Sequence, residues 1–417
     1  EPDVLGGKGH PFSSCNRDNS FPTETTIDEA SLRAVTYYDD YAFPHASESD
    51  FAFVDELESR SYYANMKGEV TGTMVKNLSD NSWLKSISYF DEQYRPIYTV
   101  TENHLGGTDR LTLTYENAVR NEVTVQLLKH STSTENHTIR EEFTYDHVGR
   151  LLSVTHQVDT DPVVTIAAHQ YNALGELTQK QLHGSGVAAL QTVDYRYHIR
   201  GWLEKINELT DTEDYFAQEF YYEKDNHNFN GNIREVVWKQ AGSPEKRYTY
   251  TYDAADQLTG AQYSYRDGTG TWTSGAYQLP NVSYDGNGNI TALKREGAVG
   301  GLTKILDDLT YSYQGNQLVA VDEQNLGEAS YGFIDGASTT TEYQYDAAGN
   351  LTRDDNKGVT GISYDPLLNL PLQVTINGQG TIQYTYDAAG TRLSQTIRDT
   401  GGNIISSTDY VGVFEYQ

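Results

Sequence analysis

Cysteine is almost absent from this 417-residue chain: Cys15 stands alone, so no intrachain disulfide framework can hold it together. Long apolar runs are missing too, and no stretch approaches the roughly 18 residues that a membrane-spanning helix needs. Basic side chains are scarce, 30 against 59 acidic ones, leaving a formal net charge of -29. Phosphate binding needs a basic surface, so nucleic acid is excluded as a partner, whereas an acidic surface favours solubility. Aliphatic material is limited as well, because the 37% hydrophobic fraction includes 33 tyrosines. Tyr carries a broad apolar face with a hydroxyl at its tip, which suits a thin core and a sheet wet on at least one side. The 12% aromatic content argues against disorder despite the high polarity. The chain opens Glu1-Pro2, with neither an initiating Met nor a signal peptide, and is expected to be a piece of a longer protein.

What the sequence does contain is one phrase, repeated. Tyr345-Asp346-Ala347-Ala348-Gly349-Asn350-Leu351 recurs at Tyr145 to Leu151, Tyr252 to Leu258, Tyr284 to Ile290 and Tyr386 to Gly390. Weaker copies begin at Phe90, Tyr115, Tyr171, Tyr197, Tyr222, Tyr313 and Tyr364, so the anchors stand 19 to 32 residues apart. Self-similarity at such a period marks a repeat architecture. Asp with Gly three residues later suits a type I turn, and Gly in the left-handed conformation closes a bulged hairpin. Asp also accepts hydrogen bonds from the backbone just ahead of it. On either side, Thr249-Tyr250-Thr251-Tyr252 and Gln383-Tyr384-Thr385-Tyr386 alternate in the manner of strands. The unit is therefore strand, tight turn, strand.

On these residues the chain resembles the YD-repeat, or RHS-repeat, family, whose unit is Tyr-Asp-x-x-Gly-x-Leu. The resemblance covers residues 85 to 417, and composition and repeat syntax are similar to the large YD proteins of Bacteroidetes-type bacteria. It implies an all-β fold in which hairpins pack side by side into one curved or spiralling sheet, part of a shell. Twelve units at two strands each imply about two dozen strands. Residues 1 to 84 are expected to form an irregular N-terminal section with a few strands, and 85 to 417 the repeat domain. Asp409 to Tyr416 resembles the start of the family's core segment, so the self-cleavage site and variable effector of many members are expected to lie outside this sequence.

Taken in order, residues 1 to about 30 read as an arm or loop, rich in Gly, Pro, Ser, Asn and Asp. Val35 to Tyr38, Val70 to Leu78 and Trp83 to Phe90 read as strands, and Phe51 to Leu57 as a strand or a short helix. Tyr94 replaces the usual Gly of the first repeat and should weaken that turn. Strands follow at Leu111 to Tyr115, Val123 to Lys129, Arg140 to Tyr145 and Leu151 to Gln157. Asp211 to Tyr215 and Lys224 to Gly231 read as longer loops. Gly201 to Leu209 fits a helical turn or a strand with its bend. Gly297 to Gly301 reads as a flexible connection, and Pro366 and Pro371 mark another.

Four constellations bear on chemistry. Asp285, Asn287, Asn289 and Glu296 have calcium-loop spacing, but Ile290 stands where the sharp-turn Gly belongs and the repeat already explains the stretch; metal binding is left open. Seven of the eleven histidines lie between residues 130 and 198: His130, His137, His147, His156, His169, His183 and His198. Stacked hairpins would bring His147, His169 and His198 near one another, though no zinc spacing supports a site. The adjacent acids Asp39-Asp40, Glu141-Glu142, Asp307-Asp308 and Asp354-Asp355 point to opposite faces if they lie in strands, which is unlike a glycosidase pair. Tyr250, Tyr252, Tyr263, Tyr265 and Trp272 suit a sugar-binding face, but alternating Tyr also builds the sheet. No nucleophile elbow or phosphate loop is present.

No catalytic residue and no cofactor are assigned. The resemblance implies a structural casing segment of a large secreted or cell-surface protein that encloses or displays a C-terminal effector, in the manner of polymorphic toxins. Its partners would be the rest of its parent chain or the enclosed effector, with a surface protein or glycan as further possibilities. The alternative classes are an extracellular carbohydrate-binding or polysaccharide-degrading β protein and an adhesion module.

Overall fold

The computed structural model describes residues 32–116, 120–224, 228–325, 330–337 and 339–417. The expected N-terminal arm and Cys15 lie outside the described residues. Among those described there are 29 strands, three short 3-10 turns and no α-helix. The protein is all-β, as the repeat syntax implies.

The strands fall into sheets of 17, 4 and 8 members. Every ladder joins strands that are consecutive in sequence, and every one is antiparallel, so the chain zigzags along a ramp that does not close into a barrel. The first sheet runs from Ala34–Tyr38 to Trp272–Ser274, the second from Asn281–Tyr284 to Gln317–Glu323, and the third from Tyr343–Tyr345 to Phe414–Tyr416. Backbone bonds in both directions between Ala261 and Leu279, each 2.9 Å, join the first sheet to the second. At the next junction Glu342 donates its N–H to the Val319 carbonyl at 2.7 Å, and its carboxylate accepts the Val321 N–H at 2.9 Å. A side chain there replaces a ladder partner.

The repeat turns have the geometry that their residues require. In the Asp146 unit the Asp146 N–H donates to the Arg150 carbonyl, and the Gly149 N–H closes the turn on the Asp146 carbonyl. The Asp146 Oδ1 accepts the N–H groups of Val148 and Arg150 at 2.9 and 3.0 Å. The same pattern recurs at Asp91, Asp253, Asp285, Asp346 and Asp387. Gly349 has φ +88°, the left-handed region that a Cβ disfavours. Each such turn is flanked by a shift in register at its anchor, Phe90 in the first unit and Tyr in the others, as between Thr251 and Tyr252, which is the expected bulge. Tyr94 adopts φ 64° and the turn still closes, with the Tyr94 N–H on the Asp91 carbonyl.

The Tyr of each unit does more than occupy a strand. In nine of the eleven successive pairs of anchors, its hydroxyl donates to a carbonyl at the opening of the returning strand of the preceding unit, or two residues before it in the case of Ile233, at 2.7 to 3.0 Å. Tyr171 reaches Leu151, Tyr252 reaches Ile233, and Tyr364 reaches Leu351. Burial raises the pKa of Tyr145, Tyr222 and Tyr252, so these hydroxyls remain donors well into alkaline solution. Each tie contributes about 1 kcal/mol net.

Elsewhere the core is thin, and the strand Leu177–Leu182 is half-buried at every position. Among the described residues the larger of two buried clusters lies where residues 41–53 fold back over the first strands. There Tyr37, Phe43, Phe51, Met74, Ile87, Tyr89 and Tyr98 pack together. Gly72 admits the Phe43 ring, because a Cβ there would stand 2.5 Å from Phe43 Cζ. Of the stretch expected as strand or short helix, only Phe51 is in a regular element, the end of the 3-10 turn Ser49–Phe51. The expected flexible connection at Gly297 to Gly301 is instead a continuous hairpin. Strands Ile290–Val299 and Leu302–Gln314 pair up to a turn at Gly300 and Gly301, whose φ values of +58° and +81° only Gly adopts cheaply. Gly201 to Leu209 contains the strand Leu203–Ile206.

Two measurements test this account. Gly349→Ala should destabilise by about 1–2 kcal/mol and Gly349→Asn by roughly half as much in urea unfolding, since no packed atom opposes either side chain and only the backbone angle differs. The second concerns His45, buried among Tyr37, Phe43 and Phe51, where burial lowers its pKa from 6.5 to about 4. The unfolded chain then binds the extra proton between those values, so stability falls as pH drops through that window. His45→Phe should remove most of that fall, up to about 3 kcal/mol. The turn carboxylates act lower on the scale: Asp146 is held down to about 2, chiefly by the Arg150 N–H, so its contribution is complete above the unfolded value of 3.8 and is lost as pH falls from there to about 2.

Candidate functional site

The ramp turns back on itself. The end of strand Val70–Lys76 meets the turn of the last Tyr-Asp unit, where the Leu78 N–H donates to the Tyr386 carbonyl at 3.0 Å and the Ala388 N–H to the Lys76 carbonyl at 2.8 Å. One hairpin further on, His104 Nε2 lies 3.2 Å from Asp409 Oδ1. One hairpin beyond that, His130 Nε2 is hydrogen-bonded to the Tyr416 hydroxyl at 2.6 Å, and its ring stacks on Phe414 with centroids 4.0 Å apart. Arg33 and Asp365 add an ion pair at 3.7 Å. The partners in the first three contacts are 286 to 312 residues apart, so one turn of the ramp takes about 300 residues. This seam is where distant parts of the chain are brought together.

Two clefts flank the seam and share Glu102, Asn103 and His104. The outer one, of about 380 Å³, also takes in Asp50 and Trp83. The inner one, of about 220 Å³, lies between the two turns and is lined by Val75, Asp109, Asp387 and Tyr410 among others. Burial, reinforced by Glu48 and Asp50, pushes the Glu102 carboxyl above its usual range. His130 contacts the Asp109 carboxylate through Nδ1, but it is only 1% exposed and its other nitrogen is occupied by Tyr416. The His130 ring is thus a fixed hydrogen-bonded strut, while the Asp109 carboxylate also faces the inner cleft.

The residues singled out from the sequence fall as follows. The Asp285 carboxylate is engaged within its own turn, Oδ1 by the N–H groups of Asn287 and Asn289 and Oδ2 by the Asn289 amide. The amides of Asn287 and Asn289 donate to Asn316 Oδ1, on the next hairpin, while Glu296 lies along strand Ile290–Val299. Among the described residues no group of three or more His, Cys, Asp or Glu is placed to hold a metal ion. Of the histidines, His198 stacks on Trp202, His137 pairs with Asp159 at 3.0 Å, and His169 is half-buried on its strand. His147, His169 and His198 do not form a cluster of contacts; His130 reaches the C-terminal hairpin, together with His104, which spacing along the sequence did not mark.

Of the adjacent acids, Glu141-Glu142 and Asp307-Asp308 lie within strands, whereas Asp39-Asp40 stand in a bend and Asp355 in a turn. Asp307 pairs with Arg295 at 2.5 Å and Asp308 with Lys294 at 2.8 Å, each across its own rung of the ladder. The ladder register puts Tyr250, Tyr263 and Tyr265 on one face, where Trp238 also stacks on Tyr248 and Tyr248 tilts against Tyr263, but it pairs Trp272 with Arg266 on the opposite face, so the five expected residues do not form one surface. On the Trp272 side of the sheet a cleft of about 430 Å³ is lined by Arg247, Gln262, Trp272 and Gln278 among others. The Arg247 and Arg266 guanidiniums lie over the Trp272 ring at 4.3 and 5.2 Å, so a sugar stacking on that ring would compete with them.

No protein-family model and no curated protein matches the chain. Among solved structures, it is similar to a chain in the crystal structure of TcdB2-TccC3-Cdc42, with TM-score 0.47 and 15% identity over 85% of this chain and 19% of that one. It is also similar to a chain of the Photorhabdus luminescens Tc holotoxin pore, with TM-score 0.38 and 15% identity over 85% of this chain and 20% of that one. A porin-like protein from Bacteroides uniformis follows at TM-score 0.20 and 14% identity, over 70% of this chain and 93% of that one. The chain thus spans about a fifth of the length of the first two.

The seam makes its own test. Tyr416→Phe strips the buried His130 Nε2 of its partner, leaving only the Asp109 contact at Nδ1, and should cost about 1–3 kcal/mol locally. Hydrogen exchange should then speed up in strands Ile404–Val411 and Phe414–Tyr416 and stay unchanged in Val164–Tyr171.

Proposed function

We propose that this chain is a wall segment of a hollow β shell belonging to a large exported protein, which encloses or displays an effector carried by its parent chain. Residues 85 to 417 would form the wall and residues 1 to 84 its irregular start. The observation that carries this reading is the set of Tyr hydroxyl ties, each linking a hairpin to the one before it, on a ramp that meets itself after about 300 residues. Such a wall is stiffened by bonds between neighbours rather than by a thick core, and a thin stiff wall is what an enclosing function requires.

A glycan-degrading reading would draw on the cleft beside Trp272 and Tyr263, and the two readings separate experimentally. The purified chain should leave the lengths of a panel of plant, algal and bacterial polysaccharides unchanged. Protein isolated from its source should contain a protease-shielded segment, and Asp387→Ala combined with Tyr416→Ala should expose that segment to trypsin. Shortening of any polysaccharide, or full digestion with the seam intact, would overturn the casing role.

A further inference from the structure

At the seam the molecule uses one mode of contact, rim against rim. The Tyr-Asp turns form one rim of the ramp and the intervening connections form the other. Asn77, His104 and His130 lie at or beside connections of the second rim, and they receive the Asp387 turn and the Val411–Phe414 turn of the first. The contacts advance one hairpin at a time.

Just beyond His130 both rims are uncovered over the same run of strands, and both carry apolar tips. On the Tyr-Asp rim Val148, Leu174 and Ile199 top three consecutive turns and are 62%, 85% and 96% exposed. On the opposite rim Val163, Val187, Leu190 and Tyr215 stand at three consecutive connections, all exposed. Hairpins recur every two strands, so tips on either rim are about 10 Å apart. Two rows of equal pitch can mate hairpin for hairpin, as they do at the seam, and the second row continues directly from the seam's last contact at His130.

We propose that copies of this chain associate head to tail, the rim bearing Val148, Leu174 and Ile199 of one copy seated on the rim bearing Val163, Val187, Leu190 and Tyr215 of the next. The inference does not depend on the casing reading. Seven side chains bury less than a standard interface, so each contact is weak, with a dissociation constant of roughly 100 μM. The net charge of -29 opposes the contact. Salt screens that repulsion and does not weaken apolar burial, so association strengthens with salt, the reverse of an ion-paired interface. Because the two surfaces differ, the contact does not close on itself, and a series of growing oligomers is expected in place of a dimer.

Sedimentation equilibrium over a wide concentration range, at about 0.1 and 1 M NaCl, reads all of this. The average mass should rise past twice 46.7 kDa with concentration, and further at high salt. Leu174→Glu with Ile199→Glu should hold the chain monomeric, and so should Val187→Glu with Leu190→Glu; all four positions are exposed, and unchanged circular dichroism checks the fold. A mixture of the two variants retains one intact rim of each kind and should form 1:1 dimers and nothing larger. Wild-type chain that stays at 46.7 kDa under every condition would overturn the proposal. Association that survives in either variant, or a mixture that stays monomeric, would do the same.

Discussion

A phenolic hydroxyl on a backbone carbonyl holds this structure together. A hairpin alone is marginal in water, and a ramp of hairpins with little aliphatic material cannot rely on a deep core to fix one against the next. Tyr solves both problems with one side chain. Its ring covers the sheet face, and its hydroxyl fastens the start of the preceding returning strand, as in Tyr171 on Leu151 and Tyr284 on Leu258. In units such as that of Tyr252, whose returning strand begins at Leu258, the carbonyl lies where the bulge has disturbed the ladder, so a group left short of partners by the turn is satisfied by the next repeat.

The turns and the ties are therefore parts of one device. Asp pins its own loop through two backbone N–H groups, Gly or a tolerated left-handed residue closes it, and the bulge sets the direction of the returning strand. Errors in any one turn would propagate along the ramp, which is why contacts as distant as Asn77 with Asp387 depend on the regularity of everything between them. Stability in such a chain is close to a sum of repeat terms and neighbour terms.

Much of this could be read from residues in order. The Asp-to-Gly spacing, the alternation of Tyr with Thr and the register of the copies led to hairpins, and the hairpins are there. Where Gly297 to Gly301 looked like a flexible linker, the two positive-φ glycines make a tight turn inside a long hairpin; composition could not distinguish the two, because Gly serves both. The Phe51 to Leu57 stretch had apolar character without a period, and its Phe residues serve the aromatic cluster over the first strands rather than a regular element. The histidines drew attention by their density between residues 130 and 198, yet the informative one, His130, is defined by Phe414 and Tyr416.

The sequence by itself determined the turns, because an Asp carboxylate, its neighbouring N–H groups and a left-handed Gly lie within five residues and act before the rest of the chain is arranged. It determined the strand pairing too, since each strand finds its partner next in line. Only the tertiary structure decided the partner of each Tyr hydroxyl, some 13 to 26 residues back, and the meeting of residues about 300 apart at the seam. Those depend on the curvature accumulated over many hairpins, a small rotation per repeat that no single residue encodes.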